Sequence, residues 1–335
     1  MGFLYNIRFY IEEKFPRIYL AIRKIVTIGL KIKSHERKKK FGKLNPNKTV
    51  YIIRIRRAKL GLMAQYLAVL AHLDYAVKRN YLPVVDFQNY PNTYLDDNLL
   101  HKINSWEYYF KQPSNISLEE AYQSHNVILS NMETPRASAP RTMYYENLNG
   151  DEKKYWLDLC ETKICMQKTM QNSCEEKLNE ILPDSIREEG VIGVVCRGTD
   201  LLNFTKHSKQ PSMEKQMEII KKLMREYKCK YIYVASDSDQ AIQKLKREFG
   251  TEIIFHTDQK RFDCFGNSGA KVLSDIHFDR ENDSFIKGKE YLQSVYLLSK
   301  CDVLYGSLIG ATLGGICLAG NRGFKHIEIY DEGTY

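Results

Sequence analysis

The chain has 335 residues, enough for two domains with a core each, and its 43% hydrophobic and 27% charged content is that of an ordinary globular protein. A net charge of +9 suggests a nucleic-acid binder, but residues 1–50 alone carry +10, leaving −1 for the remainder and no extended basic surface. The eight cysteines form no C-x-x-C pair and no zinc spacing with histidines, so reduced thiols in a cytosolic protein are expected, with Cys196 and Cys317 as small hydrophobes inside apolar runs.

The leader comes first. Residues 15–33 are apolar but interrupted by Arg17, Arg23 and Lys24, so no window supplies the ~18 uncharged residues of a spanning helix. No small-residue cleavage site follows, and Asn6 stands where a myristoylation motif needs Ser or Thr. The pattern is that of a basic amphipathic helix running into His35–Lys40. Residues 15–40 then suit an anionic membrane surface, or else a solvated helix packed on the body.

Val50–Ile55 reads as the first strand. The basic loop Arg56–Gly61 follows, and then Leu62, Tyr66, Leu70, Leu73 and Val77 fall on one helical stripe. Val84–Phe87 is the next strand, which puts the basic loop at the carboxyl edge of a sheet. Trp106–Phe110 is an aromatic run suited to core or interface. Val127–Ser130 is a strand, and residues 131–150, rich in Pro, Ser, Asn and Gly, form a long surface loop. Asp151–Leu182 is largely helical, Pro183 stops it, and Asp184–Gly190 is a linker.

A second unit opens on Val191–Cys196, an apolar, mostly β-branched run of the kind buried on both faces of a parallel sheet. Arg197, Gly198, Thr199 and Asp200 follow directly, where an open α/β sheet meets its ligand. The arginine fork fits an oxyanion, or it pairs with Asp200 across a tight turn. Met213, Met217, Ile220, Met224 and Tyr227 repeat at helical spacing behind Pro211-Ser212, with the methionines as core filler. Then come a strand (Tyr231–Ala235), a helix closed by Gly250 (Asp239–Phe249), a strand (Glu252–His256) and a polar loop over 257–285 containing Arg261. Glu290–Lys300 is helical, Val303–Tyr305 a strand, Thr312–Ala319 a helix and His326–Tyr330 the last strand. Such alternation predicts an α/β fold of doubly wound sheets.

Polar groups gather at the strand ends: Arg197 and Asp200, Ser236-Asp237-Ser238, and Gly306-Ser307 ahead of Gly310. Asp237 suits a ribose diol or a helix cap. Gly306–Gly315 leads into a helix N-terminus, which favours phosphate, yet it matches neither G-x-G-x-x-G nor the P-loop. Hydride transfer and nucleotide hydrolysis are thereby disfavoured. Two α/β units flanking a cleft suit a nucleotide-sugar glycosyltransferase.

Gly193–Asp200 (GVVCRGTD), Tyr231–Asp237 (YIYVASD) and Tyr296–Tyr305 (YLLSKCDVLY) resemble the three C-terminal motifs of α1,6-fucosyltransferases and the related rhizobial Nod-factor and protein O-fucosyltransferases. Arg57–Phe110 is similar to that family's N-terminal loop and helix, with its W-E-x-x-F stretch at Trp106–Phe110. R-G-T-D followed by His207 and Gln210-Pro211 is closer still to bacterial polysaccharide-locus members. The resemblance implies a GT-B-like fold of two Rossmann-like domains facing a cleft. Its divisions are a leader (1–44), an acceptor-side domain (45–183) and a nucleotide-sugar domain (184–335).

The implied reaction is an inverting, metal-independent transfer of L-fucose from GDP-fucose, without a cofactor. The implied acceptor is a hydroxyl of a bacterial surface glycan, such as capsule, O-antigen or a lipid-linked oligosaccharide, reached at the inner face of the membrane. Carried onto this sequence, Arg197 holds the diphosphate and Asp237 lies near the ribose. Gly61, Ser238, Glu290, Ser307, Gly310 and Thr312 complete the donor site, while Trp106 and Glu107 meet the acceptor. Asp200 and His207 are the base candidates. The sequence departs from the family in four places. Gly198 replaces the second of two arginines, and Val195 replaces a histidine. Ser294 stands at the carboxylate that pairs with guanine, with Glu290 a turn earlier, and Ile309-Gly310-Ala311 replaces a Ser-Ser-Gln run. The same fold using another nucleotide sugar, and a catalytically silent glycan- or nucleotide-binding protein, are the alternatives.

Overall fold

The computed structural model describes residue 15 and residues 35–55, 60–132, 150–197, 209–261 and 276–333. The body of the expected leader, the basic loop at 56–59, most of the surface loop at 131–150, Asp200 and His207 lie outside the described residues.

The first half contains β1 (Arg37–Lys39), β2 (Val50–Ile53), helix α1 (Leu62–Val77), β3 (Leu82–Val85), the short helix α2 (Leu118–Ala121) and β4 (Val127–Leu129). Its sheet runs β1-β4-β2-β3, parallel except for β1. Arg37–Lys39 had been expected only as part of the basic run that follows the helical leader. It is instead an edge strand, held by backbone pairing to Val127–Leu129 rather than by any apolar stripe. α3 (Gly150–Lys163) and α4 (Lys168–Ile181) form the expected helical stretch, broken at residues 164–167. The expected linker contains a one-turn helix, α5 (Asp184–Arg187).

The second half is β5 (Val191–Cys196), α6 (Met213–Tyr227), β6 (Tyr231–Ser236), α7 (Asp239–Phe249), β7 (Ile254–Phe255), α8 (Asp283–Leu298), β8 (Val303–Ser307), α9 (Gly310–Ala319) and β9 (His326–Tyr330). Its five strands are all parallel in the order β7-β6-β5-β8-β9. β5 is the central strand and is buried at every position, as its unbroken apolar run requires. Ser212 and Ser238 start α6 and α7 by accepting the Lys215 and Ala241 backbone N–H groups. In α6 the fully buried residues are Gln216, Ile220 and Leu223, while Met213, Met217 and Met224 pack at the margin.

Helices cover both faces of each sheet, so each half is doubly wound and the whole is GT-B-like. The largest core joins the halves: Met63 and Leu70 of α1, Leu292 and Val295 of α8 and Ile316 of α9 share it with Ile53 of β2 and Val195 of β5. Smaller cores lie on the outer faces, one under α6 and α7 and one beneath α2. Cys196 and Cys317 are buried, and the described cysteines are free thiols.

Candidate active site

In the second sheet the strand order reverses between β5 and β8. That reversal opens a crevice at the carboxyl ends of the two strands, the place where open α/β sheets bind ligands. Arg197 is the first residue past β5, and Ser307 ends β8 just ahead of α9. Arg197 and Ser307 therefore flank the switch point because of chain topology, far apart though they are in sequence.

The N-terminus of α9 meets that of α1 from the other half. A Cβ on Gly310 would lie 3.6 Å from both the Ala64 nitrogen and the Met63 Cβ, and one on Gly314 would collide with the Met63 sulfur at 2.4 Å. Two glycines a turn apart thus let α9 lie close along Met63. Gly61, the N-cap of α1, is extended (φ −63, ψ 154) and has nothing within 4 Å of where a Cβ would stand. Both helix starts present backbone N–H groups and positive dipole ends, which favour an anion.

Arg197 Nε lies 3.0 Å from Asp237 Oδ2, an ion pair whose alignment falls short of a hydrogen bond. The register Cys196↔Ser236 of β5 and β6 brings the two together. The other pairing weighed from the sequence, Arg197 with Asp200, lies outside the described residues. Asp237 does not cap α7: the Ser238 hydroxyl does so, accepting the Ala241 N–H at 3.2 Å.

Ser307 and Thr312 are buried, and their hydroxyl oxygens have no hydrogen-bond partner among the described residues. Such unmet groups cost about 1–3 kcal/mol each, and a bound polar ligand would satisfy them. Two tyrosines that the sequence did not single out frame the site. Tyr94 accepts the Leu62 N–H through its hydroxyl oxygen at 2.7 Å, tying the start of α1. The Tyr291 hydroxyl is pushed up to about 12 by burial, against the pull of Arg197 and reinforced by Asp237. No local pattern marks these tyrosines, because their partners lie on other elements.

Glu290 forms a two-pronged ion pair with Arg280, at 2.6 and 3.0 Å, and Arg280 also binds Asp283 at 2.7 Å. Ser294 is buried and its hydroxyl lies 3.2 Å from that of Tyr233, so it faces the sheet. α8 begins at Asp283, a full two turns earlier than its apolar stripe suggested, and this is what brings Arg280 against Glu290.

Of the two acceptor candidates, Trp106 is corrected. It is 1% exposed, its indole N–H donates to the Lys111 carbonyl, and it packs on Phe87 and Phe110, so it belongs to the core. Glu107 is exposed and borders a groove of about 420 Å³ with Gln88, Lys102, Tyr108 and Glu119. Among the described residues no cluster of three or more His, Cys, Asp or Glu side chains is placed to hold a metal ion. No helix among them is long and apolar enough to cross a membrane.

No protein-family model matches the sequence, and no curated protein does. Among solved structures, the chain is similar to the fucosyltransferase NodZ from Bradyrhizobium, at 13% identity and a TM-score of 0.44 over 80% of this chain and 93% of that one. It is similar to NodZ α-1,6-fucosyltransferase soaked with GDP-fucose (13%, 0.45, 81% and 93%). It is also similar to POFUT1 in complex with GDP (9%, 0.48, 85% and 99%). Identity this low leaves the residues of the site to be read from their own geometry.

Proposed function

We propose that the protein is an inverting glycosyltransferase that uses a nucleotide-diphosphate sugar, GDP-fucose on the evidence of its motifs, and transfers the sugar to a hydroxyl of a bacterial surface glycan. The observation that carries the reading is the anion cradle at the switch point. Arg197, the N-termini of α9 and α1, and the unmet hydroxyls of Ser307 and Thr312 gather at one sheet edge. A diphosphate supplies acceptor oxygens for the Ser307 and Thr312 hydroxyls and negative charge for Arg197 and the helix N-termini.

In this reading the donor diphosphate takes the Arg197 guanidinium from Asp237, and Asp237 turns to the ribose diol. As the bond between the sugar and the diphosphate breaks, negative charge builds on the leaving oxygen. Arg197 and the helix dipoles stabilise that charge, fixed in place before the reaction begins. Asp200 or His207 removes the proton of the attacking hydroxyl, and attack from the opposite face inverts the anomeric centre. Glu290, held by Arg280, accepts from the base. Glu107 meets the acceptor along its groove. The leader over residues 15–40 holds the enzyme at an anionic membrane, where lipid-linked acceptors are found.

Donor hydrolysis measured with GDP-fucose, GDP-mannose and UDP- and TDP-sugars tests the reading. Turnover of GDP-fucose above the others is expected. Nucleotide-sugar binding with no turnover for any acceptor would identify a silent binding protein instead.

A further inference from the structure

The chain enters the described fold at His35 and at once forms β1, so the basic, apolar segment over 15–33 feeds directly into the edge of the first sheet. From Arg37 to Leu44 the sequence is Arg-Lys-Lys-Lys-Phe-Gly-Lys-Leu. Lys38, Lys39, Lys40 and Lys43 are exposed, and none of them forms an ion pair among the described residues. Glu36 accepts from the Tyr75 hydroxyl, and Glu120 from the Asn45 amide.

Lys38 and Lys39 lie on the edge strand, where lysines protect against pairing with other strands, and they need no other explanation. Lys40 and Lys43 follow the strand, and among them Phe41 and Leu44 are 42% and 43% exposed, although the Phe41 ring meets Tyr122 edge to face at 5.1 Å. Their backbone is fixed: the Phe41 and Gly42 N–H groups both donate to the Ser124 carbonyl at 3.1 Å, and the Leu44 N–H donates to that of Gln123 at 3.0 Å. Gly42 approaches so closely that a Cβ would stand 2.2 Å from the Gln123 oxygen. Exposed apolar residues beside an edge undo the protection that lysines give. The same two ingredients together, apolar side chains ringed by cations, are what an anionic bilayer surface binds.

We propose that residues 37–44 are a preformed docking surface for an anionic lipid bilayer, continuous with the leader, in which Lys38, Lys39, Lys40 and Lys43 meet the headgroups and Phe41 and Leu44 enter the interface. This rests on the reading of residues 15–40 as a membrane-facing segment and deepens it, because it adds Phe41, Lys43 and Leu44 and places the contacts on the paired edge of the folded body. It depends on neither the donor nor the reaction.

The test uses the full chain and co-sedimentation with vesicles of phosphatidylcholine, with and without one-quarter phosphatidylglycerol. Near a membrane surface each lysine contributes about 1 kcal/mol, so Lys38→Gln with Lys39→Gln lowers partitioning onto the anionic vesicles roughly thirtyfold. Phe41→Ser with Leu44→Ser lowers it by more than tenfold at unchanged charge; donor hydrolysis is unaffected in both variants, and melting falls only in the second, which loses the ring contact of Phe41 with Tyr122. In a third variant, Phe41→Trp, indole emission shifts blue on adding anionic vesicles and becomes shielded from acrylamide. Wild-type partitioning in both double variants, or an unshifted Phe41→Trp emission, overturns the proposal and leaves binding to the leader alone. Equal partitioning of the wild-type chain onto neutral vesicles, or no partitioning at all, overturns it as well.

Discussion

Arg197→Ala separates two jobs that the structure gives one side chain. Asp237 is 13% exposed and Arg197 24%, so removing the guanidinium leaves a mostly buried carboxylate without its cation. That loss should cost about 1–3 kcal/mol of stability. If Arg197 also grips the leaving diphosphate, turnover should fall by a further, independent amount. Contacts of this kind contribute about 3–4 kcal/mol in the transition state, a hundredfold to a thousandfold in rate. The double variant Arg197→Ala with Asp237→Asn removes the stranded charge. Its denaturant midpoint should return most of the way to wild type while donor hydrolysis stays at least a hundredfold down. Arg197→Lys should recover little activity, since a point charge cannot replace the fork. Urea unfolding and donor hydrolysis on the same preparations give both numbers. Recovery of turnover together with stability in the double variant would refute the reasoning, because Arg197 would then serve only Asp237.

Four further outcomes are expected. Gly288→Ala drives a Cβ to 2.1 Å from the hydroxyl of Tyr109, a buried ring held by its bond to the Phe285 carbonyl, so unfolding should become easier by about 1–3 kcal/mol. Gly314→Ala, which meets only the movable Met63 thioether, should cost visibly less on the same urea curves. Burial lowers the pKa of His256 below 6.5, with Lys246 and Arg261 adding to the effect while the Thr257 carbonyl opposes it. The fold therefore favours the neutral ring, and its contribution to stability is complete above pH 6.5 and fades as pH falls through the lowered folded value. His256→Gln should flatten melting temperature against pH in that window, and an unchanged profile would count against it. Donor hydrolysis should continue in EDTA, whereas activity lost to chelator and restored by manganese would contradict metal-independent transfer.

Most of the second half was legible because its signals are local. α7 and β9 fall where periodicity put them, and β5 announces itself as a buried strand. β1 was hidden because three cationic residues carry no alternation and become a strand only through pairing with β4. The first two turns of α8 were hidden for a related reason. The face they bury is Asp283, Ser284 and Gly288, satisfied by ion pairs and close packing rather than by apolar side chains. The position of Arg197 could be read from its strand, but its partner could not. Asp237 reaches it only through the parallel register of β5 with β6, which one sequence does not state. Trp106 was placed at the acceptor by motif, and packing against Phe87 and Phe110 decided otherwise.

The central claim is that the switch point between β5 and β8 holds a nucleoside diphosphate. Isothermal calorimetry of guanosine, GMP and GDP against the wild-type chain and Arg197→Ala tests it without requiring an acceptor. Affinity should climb steeply from guanosine to GDP in the wild type, and the gain from the diphosphate should largely vanish in the variant while its melting shows a folded protein. Equal affinity for guanosine and GDP in the wild type, or GDP binding undiminished by Arg197→Ala, would contradict the assignment.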